Sequence, residues 1–344
     1  MNARTRFHPS SFILHPSPGA RGKPRRYATA LRHSSFIIHH SSFPRNAFTL
    51  VEMLVVIVIL TMLAGMVMFA IRGAQESARQ SKTKATIQKL DSIVVELYES
   101  YDTRRVPITL LPGTNPRDAA IARLAGLRDL MRMEMPDRLT DITNGTQYIP
   151  TSNDPALHRA YQDRLNTAAG ATGRAMNQNA SAECLYLIVT LAGGEDARGQ
   201  FAADEVGDTD SNGLPEFIDG WGRPIFFLRW APGFNDSDCQ CNIFVAQDRL
   251  DADREYHDPF DPRRVDNASV GRPAWGLVPL IYSAGRDGQY GVATELIGGT
   301  YTWANDTYAP AYNPPILMGT PAPTATGAVD THYDNIHNHR VETP

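Results

Sequence analysis

The chain has 344 residues, of which 42% are hydrophobic, and a formal net charge of −4. Eight of its 33 basic residues and none of its 37 acidic residues lie in residues 1–47. Residues 48–344 therefore carry 25 basic and 37 acidic residues, a net charge of −12. A nucleic-acid-binding protein needs a basic face, so this charge balance argues against nucleic acid as a partner.

Residues 1–47 are basic and contain an internal repeat. The segment Ser10–His15 (SSFILH) recurs as Ser34–His39 (SSFIIH), and five of the ten histidines of the chain lie in this region. All eight charges are positive, and the positive-inside rule keeps such a segment on the cytoplasmic side of a membrane span. A metal-binding tract is one interpretation of the repeat. We prefer the other, a non-functional extension from a start codon placed too far upstream.

An uncharged apolar segment, Met53–Ile71, is preceded directly by Glu52. Its 19 residues span roughly 28 Å at helical rise, about the thickness of a bilayer core. A carboxylate at the bilayer edge is costly unless a partner compensates it, so Glu52 predicts a function. A cut just before Phe48 creates a free α-amino group that can serve as this partner.

The segment Phe48–Glu52 (FTLVE) closely resembles the processing site of type IV pilins and type II secretion pseudopilins. This resemblance implies that a prepilin peptidase cuts between Ala47 and Phe48 on the cytoplasmic face and methylates the new amine. It also implies that Glu52 pairs with the N-terminus of a neighbouring subunit during assembly. Ala47 departs from the family pattern, in which the residue before the cut is usually glycine. An ordinary signal anchor that carries a glutamate is the alternative.

The helical pattern continues beyond the membrane segment. Apolar residues recur at spacings of three and four between Ala74 and Tyr101, with polar residues between them. We therefore predict a transmembrane and assembly helix over residues 48–73 and its amphipathic continuation over residues 74–105. Residues 1–47 are the leader that the resemblance implies is removed on maturation.

The remaining sequence predicts an α+β fold, in which the long helix packs on a small antiparallel β-sheet and carries a helical insertion. The insertion covers residues 106–200, with Ser181 as the expected cap of its last helix. Its predicted helices are Pro116–Met135, Ala156–Leu165 and Ala182–Leu191. Residues 201–318 form the β-rich part, and its predicted strands are Pro224–Trp230, Cys241–Ala246 and Leu277–Ser283.

The last segment, residues 319–344, is predicted to be a flexible tail. It follows a stretch rich in proline, threonine and alanine, and chain ends of this kind are commonly disordered. Its metal-ligating residue types, His332, Asp334, His337 and His339, are therefore not expected to form a site.

Two short motifs in the β-rich part extend the family resemblance. The segments Asp219–Pro224 (DGWGRP) and Ser283–Gly288 (SAGRDG) resemble the C-terminal region of major pseudopilins. Trp221 is a large apolar anchor between glycines that allow tight turns, and Pro224 begins an edge strand. These motifs favour the secretion type of subunit, whereas the helical insertion also suits a minor tip subunit.

Two loops are candidate calcium sites. The family resemblance implies a calcium ion at the loop that contains Asp287, where Glu295 is the only further acid nearby. Separately, oxygen ligands at alternate positions before a glycine resemble the start of an EF-hand loop. This second set comprises Asp208, Asp210, Asn212 and Glu216. In both loops the alternative is a turn in which the carboxylate binds the backbone.

The three cysteines predict at most one disulfide bond. Cys239 and Cys241 are too close in sequence to bridge each other easily, so Cys184 is expected to pair with one of them and leave an odd thiol. No zinc-protease, nucleophile-elbow or phosphate-loop pattern occurs in the sequence, and we expect no enzymatic activity.

The sequence thus predicts a structural subunit of a type II secretion pseudopilus or a type IV pilus-like filament. The expected location is the bacterial inner membrane, with one membrane span, a cytoplasmic N-terminus and a periplasmic or extracellular C-terminal domain. Expected partners are the prepilin peptidase, other pilin or pseudopilin subunits and the inner-membrane assembly platform, and the only candidate cofactor is calcium. The alternative is an anchored envelope protein that does not form filaments and whose exported domain binds a ligand or carries a hydrolytic site.

Overall fold

The structure, a computed structural model, describes residues 48–144, 148–172, 179–240, 257–265, 276–294, 318–321 and 332–340. These residues form six α-helices and five short β-strands, which confirms the predicted α+β class. The chain divides into two compact units, one ending at Thr61 and one beginning at Met62. Each unit is described by itself.

The first unit contains the beginning of helix α1 (Leu50–Ser100). Apart from Glu52 and Thr61, its helical residues are all apolar, and every described side chain of the unit is exposed. Helix α1 is long and apolar enough to cross a membrane. Such exposure of so many consecutive apolar side chains indicates that the natural surroundings of this helix are not water.

The second unit contains the amphipathic part of helix α1 and the globular core. One face of this helix is buried, with residues three and four positions apart, as expected for one apolar stripe. The buried residues are Thr83, Thr86, Ile87, Leu90, Val94 and Tyr98. The two threonines are not apolar, and each bonds a backbone carbonyl of the preceding turn, Arg79 O at 2.9 Å and Lys82 O at 3.1 Å.

Helices dominate the segment between α1 and the strands. Asn115 caps α2 with its side chain, which accepts a hydrogen bond from Arg117 N, and proline begins the helix. The helices are α2 (Pro116–Glu134), α3 (Leu139–Thr143), α4 (Ala156–Thr172), α5 (Ala180–Leu187) and α6 (Gly194–Arg198). A π-helical turn, Ile188–Ala192, connects α5 to α6.

Ser181 does not cap α5, contrary to the prediction. The N-cap position is Asn179, one residue before the helix begins at Ala180. The Ser181 hydroxyl instead accepts a hydrogen bond from Phe227 N at 2.9 Å and donates one to Phe227 O. Serine within the first turn therefore joins α5 to a strand of the sheet rather than closing its own helix.

The strands form two small antiparallel sheets. In the first, β1 (Val206–Gly207) pairs with β2 (Glu216–Phe217). In the second, β4 (Leu280–Ser283) lies between β3 (Phe226–Leu228) and β5 (Ile336–His337). The strands near Phe226 and Leu280 are shorter than predicted, and the predicted strand over residues 241–246 lies outside the described residues.

Strand β5 lies within the segment expected to be a flexible tail, so residues 332–340 differ from that expectation. Asn338 fixes this segment, because its backbone N donates to Ile281 O at 3.1 Å and its Oδ1 accepts from Ile281 N at 2.8 Å. Its Nδ2 also donates to Asp91 Oδ1 at 2.7 Å. The segment is therefore bound both to the central strand and to helix α1.

Candidate functional site

Glu52 lies in the first turn of helix α1, where its carboxylate caps the helix. Thr49 N and Thr49 Oγ1 donate hydrogen bonds to Glu52 Oε2 at 2.8 and 2.9 Å. In return, Glu52 N donates to Thr49 Oγ1 at 3.2 Å. This reciprocal pair is a capping box, which satisfies backbone donors that the helix itself leaves unpaired.

The capping box engages only one oxygen of Glu52. Both contacts from Thr49 end on Oε2, so Oε1 has no hydrogen bond within the described part of the chain. The carboxylate is thus held in place by its own chain while its second oxygen is accessible. A site of this kind can bind a cation from outside without giving up its helix cap.

The apolar side chains that follow Glu52 are exposed. Phe48 is 75% exposed and Phe69 is 82% exposed, and the apolar residues between Leu50 and Ile71 are exposed as well. Each square ångström of apolar surface removed from water stabilises the buried state by about 25 cal/mol. The helix therefore has a strong tendency to enter lipid or to pack against other apolar helices.

A second candidate site is a cluster of three carboxylates in the globular core. Glu183 projects from α5, Asp210 from the turn that precedes β2, and Glu216 from β2 itself. Each offers one ligand oxygen, and these oxygens all lie within 4.8 Å of one another. Glu183 and Glu216 are completely buried, and Asp210 is half-buried.

Asn212 organises the polar side of this cluster. Its Oδ1 accepts a hydrogen bond from Leu214 N at 2.8 Å, which turns its amide nitrogen toward the acids. Asn212 Nδ2 donates to Glu183 Oε1 at 2.5 Å and to Asp210 Oδ2 at 3.2 Å. Asn212 therefore bridges two carboxylates and does not offer the carbonyl oxygen that an EF-hand-type ligand requires.

The other predicted ligands divide into two roles. Asp208 binds the backbone of the turn, because its two oxygens accept from Asn212 N at 3.1 Å and Gly213 N at 3.0 Å. Glu216 is held by Thr209 N at 2.9 Å and by Asn179 Nδ2 at 3.0 Å. The structure thus brings two of the four predicted residues, Asp210 and Glu216, together with the unpredicted Glu183.

The proximity of these acids changes their protonation. Burial raises the pKa of Glu183 to about 8, and the negative charges of Asp210, Glu216 and Asp208 act in the same direction, against the hydrogen bond from Asn212. Burial likewise raises the pKa of Glu216. A group of buried carboxylates this close together requires a bound proton or a bound cation for neutralisation.

The two pseudopilin-like motifs form one interlocked unit. Asp219 is its centre, since Oδ1 accepts from Trp221 N and Arg223 N and Oδ2 accepts from Ser283 Oγ at 2.7 Å. Arg223 Nη1 then donates to Gly285 O at 2.8 Å. The first motif is thereby fixed to the loop that follows strand β4.

Asp287 lies in this second loop and serves the backbone there. Its Oδ1 accepts from Gln289 N at 2.7 Å, and its own N–H donates to Asp334 Oδ2 at 2.8 Å. Among the described residues, it does not belong to the cluster of acids around Glu183. Glu295, the other acid considered for this loop, lies outside the described residues.

A comparison with protein families assigns the N-terminal site. Residues 43–68 match the family model described as the prokaryotic N-terminal methylation motif, and this match includes Ala47, Phe48 and Glu52. The chain carries a prepilin-type methylation motif. Together with the apolar helix that follows, the motif fits a type IV pilin or pseudopilin. No curated protein and no solved structure matches the chain significantly.

Cys184 does not pair with Cys239, one of the two partners predicted for it. Cys184 and Cys239 are both free, Cys184 being completely buried on α5 and Cys239 exposed. Burial raises the pKa of the Cys184 thiol, which keeps it protonated and unreactive. Cys241, the other predicted partner, lies outside the described residues, as does Ala47.

Gly220 provides a test of how the first motif docks on the pilin-like helix. Its N–H donates to Thr83 Oγ1 at 2.9 Å, and a Cβ added there would lie 2.4 Å from Arg79 O. We expect Gly220→Ala to destabilise the protein by about 1–3 kcal/mol, because the contact atom is backbone and cannot move alone. Gly73→Ala is the control, since nothing lies within 4 Å of its added Cβ.

The measurement for Gly220 is urea unfolding of the full-length protein in mild detergent, followed by tryptophan fluorescence. Gly73→Ala should match the parent or exceed its stability slightly, because alanine favours the helix by up to about 1 kcal/mol over glycine. Equal midpoints for Gly220→Ala and the parent would mean that the motif does not contact α1 this closely.

Proposed function

We propose that the protein is a structural subunit of a type II secretion pseudopilus or a type IV pilus-like filament. A prepilin peptidase removes residues 1–47, and the mature subunit assembles through helix α1. The observation that carries this proposal is the methylation motif at residues 43–68, followed directly by the exposed apolar helix. The pilin-like family with this motif is structural and non-enzymatic.

The assembly step rests on Glu52. In a membrane or a helical bundle, an unpaired carboxylate is costly, and a cation that reaches it is bound strongly. The mature N-terminus supplies such a cation, the ammonium group of Phe48 on a neighbouring subunit. The capping box supports this role, because it orients the carboxylate and leaves Oε1 available to a neighbour.

Before assembly, the apolar helix holds the subunit in the membrane. Residues 53–71 contain no charge, and helix α1 has the length and composition of a single-pass anchor. The eight positive charges of residues 1–47 favour a cytoplasmic N-terminus and an exported C-terminal domain. The partners in this proposal are the peptidase, the inner-membrane assembly platform and other pilin-type subunits.

The type of filament is proposed from the β-rich part. The interlocked motifs around Asp219 and Ser283 resemble those of major pseudopilins, and this likeness favours a secretion pseudopilus over a pilus. The helices of residues 116–198 are the feature that favours a minor subunit. Counting subunits per filament by quantitative mass spectrometry separates the major role from the minor one.

The first experiment determines the mature N-terminus. We expect the membrane-bound protein to begin at Phe48 with one methyl group on its amine, as measured by intact mass and N-terminal sequencing. Ala47→Gly should be processed at least as fast as the parent, whereas Ala47→Trp should accumulate as precursor, because the residue before the cut must be small. Ala28→Trp, a bulky change elsewhere in the leader, is the matched control.

Two results would contradict the processing step. One is a mature chain that retains residues upstream of Phe48, and the other is normal maturation of Ala47→Trp. A second experiment then addresses assembly, since shearing cells without detergent releases assembled subunits as fibres that sediment. A protein that matures normally but stays with the membrane after shearing is an anchored envelope protein that does not assemble.

A further inference from the structure

The carboxylate cluster in the globular core takes no part in the proposed filament assembly. Its members come from three separate elements, with Glu183 on α5, Asp210 in the turn and Glu216 on β2. Both α5 and β2 contribute residues to the hydrophobic core, and α5 packs against β2, the strand that carries Glu216. Acids that converge from different elements in such a core must be neutralised by a bound proton or by a bound cation.

An unpartnered buried atom supports a ligand at this position. Glu183 is completely buried, and among the residues that the structure describes its Oε2 has no hydrogen-bond partner. Its Oε1, in contrast, is held by the amide of Asn212. A buried carboxylate oxygen without a donor costs free energy, so its retention beside Asp210 and Glu216 indicates that a further group binds there.

We propose that Glu183, Asp210 and Glu216 bind a divalent cation and that calcium is the preferred ion. Calcium binds oxygens at about 2.4 Å, so two ligands on opposite sides of it lie up to about 5 Å apart. The three ligand oxygens all lie within 4.8 Å of one another, so one ion can contact all of them. Calcium tolerates irregular sites made of protein oxygens, whereas magnesium demands near-ideal octahedral geometry and keeps several of its waters, so a compact site of three carboxylates favours calcium.

The surrounding hydrogen bonds orient these ligands. Asn212 holds one oxygen of Glu183 and leaves the other available. Both oxygens of Glu216 are held, Oε2 by Thr209 N and Oε1 by Asn179 Nδ2, and each keeps a second lone pair for an ion. Such outer contacts fix the ligand side chains and raise metal affinity. Asp208 shapes the turn through backbone bonds and is not one of the three ligands.

A bound ion joins parts of the fold that are distant in sequence. It connects α5, at the end of the helical insertion, to β2 and to the turn that begins at Asp208. The ion therefore stabilises the folded exported domain and does not depend on whether filaments form. Binding to the folded state alone raises stability in proportion to the logarithm of the free ion concentration.

The test uses the full-length protein in mild detergent, with CaCl₂, MgCl₂ or EDTA as the only variable. We expect heat on titration with calcium and an unfolding midpoint that rises by roughly 5 °C or more when calcium exceeds its dissociation constant 100-fold. Magnesium should produce a smaller rise. An equal or larger response to magnesium would overturn the preference for calcium, and no response to either ion would overturn the site.

Variants locate the site. Glu183→Gln and Asp210→Asn should abolish the calcium response, whereas Asp163→Asn, on the exposed face of α4, should retain it. Glu183→Gln should also fold at least as well as the parent in EDTA, because a neutral amide replaces a buried acid. Asp287→Asn tests whether the loop that contains Asp287 binds the calcium ion instead. A calcium response that is lost only in Asp287→Asn, or kept in Glu183→Gln, would contradict the proposed cluster.

Discussion

Replacing Glu52 with glutamine is expected to remove the protein from filaments while leaving the first turn of helix α1 capped. A glutamine carbonyl can accept the same two hydrogen bonds from Thr49 that Oε2 accepts, so the capping box survives. The substitution removes the negative charge of the Glu52 carboxylate. Loss of one partner from a poorly solvated ion pair costs about 3–5 kcal/mol, so we expect incorporation to fall by roughly 100-fold or more.

The matched control for this variant is Thr49→Ala, which weakens the helix cap and keeps the negative charge of Glu52. It removes the hydroxyl of the capping box and costs about 1 kcal/mol of helix stability, but it keeps the carboxylate. We expect Thr49→Ala to assemble at near-normal levels and Glu52→Ala to behave like Glu52→Gln. The measurement is the amount of each subunit in sheared fibres, relative to its amount in the membrane fraction.

The same comparison separates the two roles of Glu52. If Glu52→Gln assembled normally and Thr49→Ala did not, then helix capping would be the function of the glutamate and no charge pair would form. Membrane fractionation of every variant is the second control, because none of these changes shortens the apolar segment that follows. A variant lost from the membrane would not report on assembly.

The methylation motif is recognisable from the sequence because its signal is local. An acid at the head of an uncharged helix is visible in a few consecutive residues, and the capping pattern Thr49-x-x-Glu52 is equally local. The amphipathic half of α1 was also predictable from its spacing. Local periodicity and local charge need no knowledge of the tertiary structure.

The carboxylate cluster was predicted only in part, because one of its members is distant in sequence. Asp210 and Glu216 lie in a recognisable acidic loop, but Glu183 lies on an apolar helix that resembles core. Asn212 was predicted as a ligand, yet the bond from Leu214 N turns its carbonyl away from the acids. The first fact depends on how α5 packs on β2 and the second on the conformation of the turn, so neither can be read from spacing alone.

The β-rich part shows the same limit. The run from Pro224 to Trp230 predicts a strand, but only Phe226–Leu228 pairs as one. Just beyond it, Arg229 is completely buried, contacts acids from the helical insertion and lies over the ring of Trp230. A buried arginine in an apolar run is recognisable only when its distant carboxylates are known.

Among the charged residues that the structure describes, we expect the loss of Arg229 to lower the free energy of unfolding most. Its Nη1 donates to Asp141 Oδ2 at 2.9 Å and to Met135 O at 2.7 Å, and its backbone N donates to Asp137 Oδ2 at 3.1 Å. Replacement by methionine keeps much of the volume but leaves two buried acids with less positive charge. We expect a loss of about 3–5 kcal/mol, because uncompensated buried charge is costly.

The measurement is urea unfolding of the full-length protein in detergent, with two comparison variants. Arg286→Met is the matched control, because that side chain is 75% exposed and lies 3.7 Å from Glu76, so it should cost less than about 1 kcal/mol. The double variant Arg229→Met with Asp141→Asn should recover part of the loss. Removing the second charge relieves the repulsion that the first substitution creates.

The pH dependence distinguishes lost charge from lost packing. Burial opposes ionisation of Asp137, but the charges of Arg138 and Arg229 and the hydrogen bonds from both lower its pKa below the ordinary value. A carboxylate with a lowered pKa stabilises the fold above its unfolded pKa of about 3.9, and this contribution is lost as the pH falls through the folded pKa.

The stability deficit of Arg229→Met should therefore be largest at neutral pH and shrink below about pH 4, as the acids of the variant become protonated. A deficit of the same size at neutral and at acidic pH would mean that Arg229 acts through packing against Trp230 and not through its charge.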